Sequence, residues 1–308
     1  MKRLILCVCI ISACTKQADL PNGTSYEISP PPAITKPQPL WMSNENTTIM
    51  ADRDYGGAIT SLTYNGYEFV DISDHGREIQ SALSFDDLGE CFNPTEAGNV
   101  TDQGSQTTSK VLSAASTLDS IDTLTDAAFW LPPNYSYFHQ CGTFLPIVEV
   151  AQNKTLTGGY LISKSVTFGN VQNSIRFKLQ YTVPDAHTSG TFEFTGYLKR
   201  PYNQFYTWQN GSMVPLAAGE FNDMGEQPYP IIVTDGFTAM GVYSPQLPQY
   251  SWPQAGYGRW KFGLSAVNKW NMVWRDRQIP AGKTYKFDAY LCVGFLSEVQ
   301  TCMKGIVP

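Results

Sequence analysis

Two segments of the sequence gather side chains able to grip or deprotonate a polar ligand. The first, residues 74–98, holds His75, Arg77, Gln80, Glu90, Asn93 and Glu96 among glycines and a proline. His75, Arg77 and Gln80 precede or open an apolar stretch, so they are expected at a sheet end or on a sheet face. Glu90, Asn93 and Glu96 ride on a loop shaped by Gly and Pro. A forked guanidinium, amides and carboxylates together suit sugar hydroxyls or a uronate carboxylate. The same set could instead be a buried polar network that pins a long loop, with Arg77 paired to Glu90 or Glu96. The second segment, residues 219–230, places Glu226 in a loop rich in Gly and Pro beside Phe221 and Tyr229. A carboxylate there becomes a general base once a pocket desolvates it; in a solvated turn it is only an exposed Glu. Around it lie Tyr202, Phe205, Tyr206 and Trp208, then Tyr250, Trp252, Tyr257 and Trp260. Aromatics at strand spacing also build cores, and Trp208 and Trp260 are taken as the sugar-stacking candidates.

The elements that would position these groups read as strands. In residues 174–183, Ile175, Phe177, Leu179, Tyr181 and Val183 alternate with Arg176, Lys178, Gln180 and Thr182, the period of a sheet with one buried face. Phe192, Phe194, Gly196 and Leu198 repeat the pattern, as do Tyr285, Phe287, Ala289, Leu291 and Val293. Shorter runs at 58–64, 67–70, 156–168, 231–234, 239–243 and 263–274 are punctuated by Asn65-Gly66, Asn210-Gly211 and Asp235-Gly236 turns. Residues 297–304 are the best helical candidate. Charged residues make up 16% and aromatics 13% of the 308, a composition that argues against helical bundles and coiled coils. The expected fold is all-β: a large antiparallel β-sandwich occupying residues 41–308 as one domain.

The N-terminus reads as a sorting signal. Met1-Lys2-Arg3 is basic, residues 4–13 are apolar but too short to span a bilayer, and Ile11-Ser12-Ala13-Cys14 resembles the bacterial lipobox. Residues 1–13 would be the signal peptide, Cys14 the lipidated residue, and 14–40 a Pro-rich tether. The expected location is the bacterial cell envelope, periplasmic or surface-exposed, held to the membrane by lipid. Cys7 and Cys9 leave with the signal. The remaining Cys91, Cys141, Cys292 and Cys302 can form two bridges in an oxidising compartment. Cys292 with Cys302 and Cys91 with Cys141 is the favoured pairing, although sequence allows three and free thiols are also open. A net charge of -6 offers no field for phosphates, so nucleic acid is not an expected partner. No Cys/His spacing suggests a metal, and neither a phosphate loop, a dinucleotide fingerprint nor a G-x-S-x-G elbow occurs; no cofactor is expected.

The opening Gly56-Gly57-Ala58-Ile59-Thr60-Ser61-Leu62-Thr63-Tyr64-Asn65-Gly66-Tyr67-Glu68-Phe69-Val70 resembles the first strands of the galactose mutarotase-like superfamily, and Pro280-Ala281-Gly282-Lys283-Thr284-Tyr285 resembles its closing segment. The resemblance implies a twisted antiparallel supersandwich whose concave face binds carbohydrate, with Arg77 where that family's sugar-binding Arg is expected. It would give His139 the part of acid and Glu226 that of base, with His75 a further proton acceptor in a lyase-like reaction. Tyr137-Phe138-His139-Gln140-Cys141 departs from the epimerase pattern. Three functions follow from different classes: an epimerase-like or polysaccharide lyase-like enzyme, a noncatalytic glycan-binding surface lipoprotein, and a structural envelope protein. Fold analogy cannot choose among them.

Overall fold

A computed structural model describes residues 39–73, 75–102, 106–141, 148–216, 225–251, 256–262 and 267–308. The first strand, Leu40–Ser43, begins where the Pro-rich run ends. Alternation decides the rest. In Ser174–Thr182 the inward Ile175, Phe177, Leu179 and Tyr181 are at most 1% exposed while Lys178 faces water. The expected Asn-Gly turns form with both residues at positive φ, 47° and 82° at Asn65-Gly66 and 51° and 74° at Asn210-Gly211. That is the hand a tight hairpin needs.

Among the described residues nineteen strands join through one continuous ladder, and two more pair apart. The ladder doubles over into two layers. In one, Thr157–Phe168, Ser174–Thr182, Thr284–Phe295, Thr238–Tyr243, Ile231–Thr234 and Gln204–Gln209 lie side by side, all antiparallel. In the other, Pro94–Thr95, Ile79–Phe85, His187–Leu198, Val267–Ile279, Tyr257–Phe262 and Gly225–Gln227 do the same. Ser120–Phe129 belongs to both, pairing with Thr157–Phe168 and with Pro94–Thr95. The expected two packed sheets are thus two layers of one ladder. Between them Phe177 meets Phe194 at 4.8 Å, Phe192 meets Tyr285 at 4.4 Å, and Trp274 stacks on Phe287 at 4.5 Å between ring centroids. The strand expected at 263–274 runs Val267–Ile279 among the described residues, longer at its far end because it stays paired with His187–Leu198 throughout.

The helix runs Leu296–Ile306. The Glu298 carboxylate accepts from the Phe295 N–H at 2.8 Å, closing the helix start where an anion is favoured. Val299, Cys302 and Met303 bury against Trp208, Ile232, Ala239 and Tyr243. Cys292–Cys302 ties the helix to its preceding strand and Cys91–Cys141 closes the other bridge, with Cα separations of 5.9 and 5.5 Å. These are the pairs favoured from sequence.

His187, which sequence reasoning did not single out, is the centre of a partly buried hydrogen-bonded chain. Its Nδ1 lies 2.7 Å from Asp86 Oδ2 and its Nε2 2.9 Å from the Tyr160 hydroxyl. Asp86 also accepts from the Thr188 N–H and hydroxyl, both at 2.7 Å. Burial pushes the Asp86 pKa up, but the hydrogen bonds from His187 and Thr188 outweigh it and hold it below 3.8. A depressed carboxylate contributes stability that is full above its unfolded pKa and is lost as pH falls through the folded value. Asp86→Asn is therefore expected to melt lower than wild type at pH 7, with the gap closing below about pH 4. Thermal melts at pH 7 and pH 3 check this; an unchanged gap at pH 3 would remove the role assigned to the carboxylate.

Candidate functional site

In antiparallel pairs, directly opposed residues share a face. Register therefore sets Gln80, Thr195, Asn271, Gly258 and Glu226 in a single row across five adjacent strands. At about 4.8 Å per strand the row spans about 19 Å. The neighbouring rung of Phe194, Met272 and Tyr257 is fully buried in the core, so the polar row lies on the outer face of its layer. One step along the same face, Tyr197, Lys269 and Trp260 are aligned.

The centre of the row is Gly258. A Cβ there would stand 1.9 Å from Asn271 Oδ1 and 3.1 Å from Trp260 Nε1, so any side chain would displace Asn271 and crowd the Trp260 indole. Asn271 is 4% exposed. Its Nδ2 donates to Glu193 Oε1 at 3.1 Å, and that oxygen also receives Lys269 Nζ at 2.6 Å. Asn271 Oδ1 and Trp260 Nε1 are both buried with no hydrogen-bond partner among the described residues. A buried acceptor and a buried donor thus stand together over one glycine, an arrangement that costs free energy until something polar meets them.

The charges around this pair are matched. Burial alone would lower the Lys269 pKa, but Glu193, Tyr197 and Glu90 outweigh it and hold the ammonium above the usual lysine range. Burial raises the Tyr197 pKa; Lys269 opposes this, and Glu193 and Glu90 add to it. Arg275 donates both terminal nitrogens to Glu226, at 2.8 and 2.5 Å, in a forked bond. Both Glu226 oxygens are thereby occupied. Among the described residues no group of three or more His, Cys, Asp or Glu side chains is placed to hold a metal.

The sequence candidates distribute unevenly about this row. Gln80, Trp260 and Glu226 are in it or beside it. Gln80 Oε1 accepts from the Ala97 N–H at 2.9 Å. Glu90 is exposed and close enough for its charge to act on Lys269 and Tyr197. Asn93 stands two residues before Thr95, which opposes Ala82, and its Oδ1 is buried without a partner among the described residues. Arg77 adjoins the row's end, its carbonyl accepting from the Tyr197 N–H at 3.1 Å, and its guanidinium pairs with Asp71 at 3.6 Å. His75 is 7% exposed, stacks on Tyr55 at 4.3 Å and lies 3.4 Å from the Ala97 carbonyl.

Two candidates sit elsewhere. Glu96 is fully buried: Oε1 takes Lys164 Nζ at 2.6 Å and Oε2 takes the Ser81 N–H at 3.0 Å, while Lys164 also donates to the Gly57 carbonyl. It thereby serves the interior, and its partner is Lys164 rather than Arg77. Trp208 lies under the helix in the opposite layer, 3% exposed. His139 belongs to the strand Ser136–Cys141, but its side chain lies outside the described residues, as do Cys14, Trp252 and residues 219–224.

Comparison with solved structures bears on the fold. A galactose mutarotase-like protein from Lactobacillus casei ATCC 334 is similar over 83% of this chain and 100% of that one, at 7% identity and a TM-score of 0.48. An alpha-mannosidase from Enterococcus faecalis V583 is similar over 88% of this chain and 32% of that one, at 10% identity and a TM-score of 0.52. The two-layer antiparallel fold is shared with the matching part of that alpha-mannosidase. A protein in the glycosyl hydrolase family 38 from Enterococcus faecalis gives 12% identity and a TM-score of 0.49 over 88% of this chain and 33% of that one. This chain spans about a third of the length of those two larger proteins. At such identities the likeness concerns the fold alone. No protein-family model matches the sequence, and no curated protein matches it.

Glu193, Lys269, Asn271, Tyr197 and Arg275 were missed from sequence. The available signal was the outward phase of the strands: Glu193, Thr195 and Tyr197 alternate with Phe192, Phe194 and Gly196, as Lys269 and Asn271 do with Trp270 and Met272. Polar residues on that phase read as solvated until a long-range register aligns them.

Proposed function

We propose that this protein is a lipid-anchored envelope protein that binds carbohydrate on the polar face around Gly258. The observation that carries the reading is the paired Asn271 Oδ1 and Trp260 Nε1, a buried acceptor and donor with no partner among the described residues, set beside the indole's flat face. A sugar hydroxyl both donates and accepts, and would answer both groups once binding displaces the side chains that now withdraw them from solvent. The Lys269–Glu193 pair adds a second donor and acceptor at the same place. The fold's occurrence in an alpha-mannosidase supports the ligand class.

Binding is favoured over turnover by the state of Glu226, the base expected from sequence. A general base needs an oxygen free to take a proton. Both oxygens of Glu226 are occupied by Arg275, whereas Glu193 engages Lys269 and Asn271 through one oxygen, Oε1. The anchor rests on the basic start, the apolar run and Cys14 at the end of Ile11-Ser12-Ala13-Cys14.

The full-length protein, extracted from the envelope, is to be screened against neutral and uronate-containing oligosaccharides for binding and for new reducing or unsaturated ends. Saturable binding without new ends is expected. New ends would turn the reading to an enzyme, and absence of binding across the panel would end the carbohydrate reading. In parallel, Cys14→Ser should move the protein from the detergent phase to the aqueous phase; unchanged partitioning would remove the lipid anchor.

A further inference from the structure

The outer face of the other layer carries a second aligned row. Register places Thr167, Arg176, Tyr290 and Tyr243 opposite one another across four strands. Here Arg176 donates Nε and Nη2 to Asp288 Oδ1 at 3.0 and 2.8 Å. Its guanidinium carbon stands 5.9 Å from the Tyr290 ring centroid, and the Tyr290 and Tyr243 rings are 6.2 Å apart. The row floors a cleft of about 370 Å³ between the turn after Phe168 and the C-terminal end of the helix at Gly305 and Ile306. That volume lies within the ~300–1,000 Å³ usual for small-molecule sites.

The cleft's walls are fixed before any ligand arrives. A Cβ on Gly305 would come within 2.8 Å of Val171, so helix and turn are in close contact, and Cys292–Cys302 ties the helix to the strand that carries Tyr290. Preorganisation of this kind lowers the ordering cost of binding. Arg176 and Asp288 keep 38% and 30% of their side-chain surface exposed while paired, so their remaining hydrogen-bonding positions reach the solvent. Their charges cancel, which leaves no field to select an anion or a cation. The Arg176 guanidinium, held by Asp288 from outside the lining and set over the Tyr290 ring, suits an uncharged ring with hydroxyls at its rim and C–H groups on its faces.

We propose that this cleft is a second carbohydrate site, specific for neutral sugar rings, on the opposite layer from the Gly258 row. The protein would then hold two glycan segments at once, and a long or branched glycan would gain avidity when it spans both.

The test uses full-length protein, calorimetry and a panel of neutral gluco-, galacto- and manno-configured tetrasaccharides, with a glucuronate-containing tetrasaccharide as the charged control. Wild type should bind at least one neutral tetrasaccharide at two sites. Tyr290→Ala and Arg176→Gln should each weaken one site at least tenfold and leave the other, and Asn271→Ala should leave the cleft site intact. Melting temperatures near wild type show that the folds survive; Arg176→Gln decides if Tyr290→Ala does not fold. A single site abolished by Asn271→Ala and indifferent to Arg176→Gln overturns the cleft and leaves the Gly258 reading standing. A single site with the opposite response upholds the cleft and removes the Gly258 reading. No binding across the panel overturns both, and stronger binding of the glucuronate control overturns the neutral specificity.

Discussion

Glu96→Ala is expected to destabilise the protein by about 3–5 kcal/mol, the cost of leaving a buried charge without its partner. The wild-type pair is completely withdrawn from water. Burial pulls the Lys164 pKa down and Glu96 pushes it back, so without the carboxylate the ammonium is left with the Gly57 carbonyl alone. The Ser81 N–H loses its acceptor as well. The Glu96 backbone packs closely on Gly56, whose absent Cβ, at φ 66°, would fall 1.8 Å from the Glu96 carbonyl oxygen. For a domain of this size the loss should lower the melting temperature by about 10 °C. Glu96→Leu with Lys164→Met should recover much of it, because a hydrophobic pair of similar volume needs no solvation. Recovery should stop short of wild type, since the Ser81 N–H and the Gly57 carbonyl stay unpaired. Chemical denaturation measures all three proteins; a single-variant loss under about 1 kcal/mol would show that water reaches Lys164.

The contrast between Glu96 and Glu193 shows what the sequence could and could not convey. Alternation placed Ile175, Phe177 and Leu179 inside because each such inference needs only the residues beside it. The cysteine pairing was also accessible, since Cys292 and Cys302 flank the end of a strand and the two others remain. Glu96 stood in a loop with Gly and Pro and read as a ligand contact. Its true partner carried a signal, for Lys164 falls on the same phase as Tyr160, Ile162 and Val166, all at most 1% exposed. A cation on the buried phase of a strand demands a buried anion, and Glu96 supplies it. The polar row was hidden for the opposite reason. Glu193 and Asn271 are separated by 78 positions, and their phase looked like ordinary solvated surface. Only the pairing of His187–Leu198 with Val267–Ile279, and of the latter with Tyr257–Phe262, makes Asn271, Gly258 and Trp260 neighbours. Trp208 was misleading because its strand has two apolar faces, one toward the core and one beneath the helix.

Trp260→Phe is expected to weaken saccharide binding about tenfold without lowering the melting temperature of the ligand-free protein. The substitution keeps a flat ring and removes one N–H. A donor without a protein partner contributes nothing to the fold, and its burial costs about 1–3 kcal/mol unless water reaches it, so its removal should leave stability unchanged or raise it slightly. In the complex the same N–H would be answered by a sugar oxygen, and losing a bond worth about 1.4 kcal/mol gives the tenfold change. Trp260→Ala also removes the stacking face, worth a further ~0.5–1.5 kcal/mol, which brings the loss toward a hundredfold. Asn271→Ala should weaken binding by a similar factor but, unlike Trp260→Phe, should also cost about 1 kcal/mol of stability, because the Asn271 Nδ2 bond to Glu193 is an internal one. Calorimetric titration with the best-bound saccharide and thermal melts without it separate the two quantities. If Trp260→Phe lowers the melting temperature and leaves the affinity alone, the indole N–H serves the fold and the pair over Gly258 is not where the sugar sits.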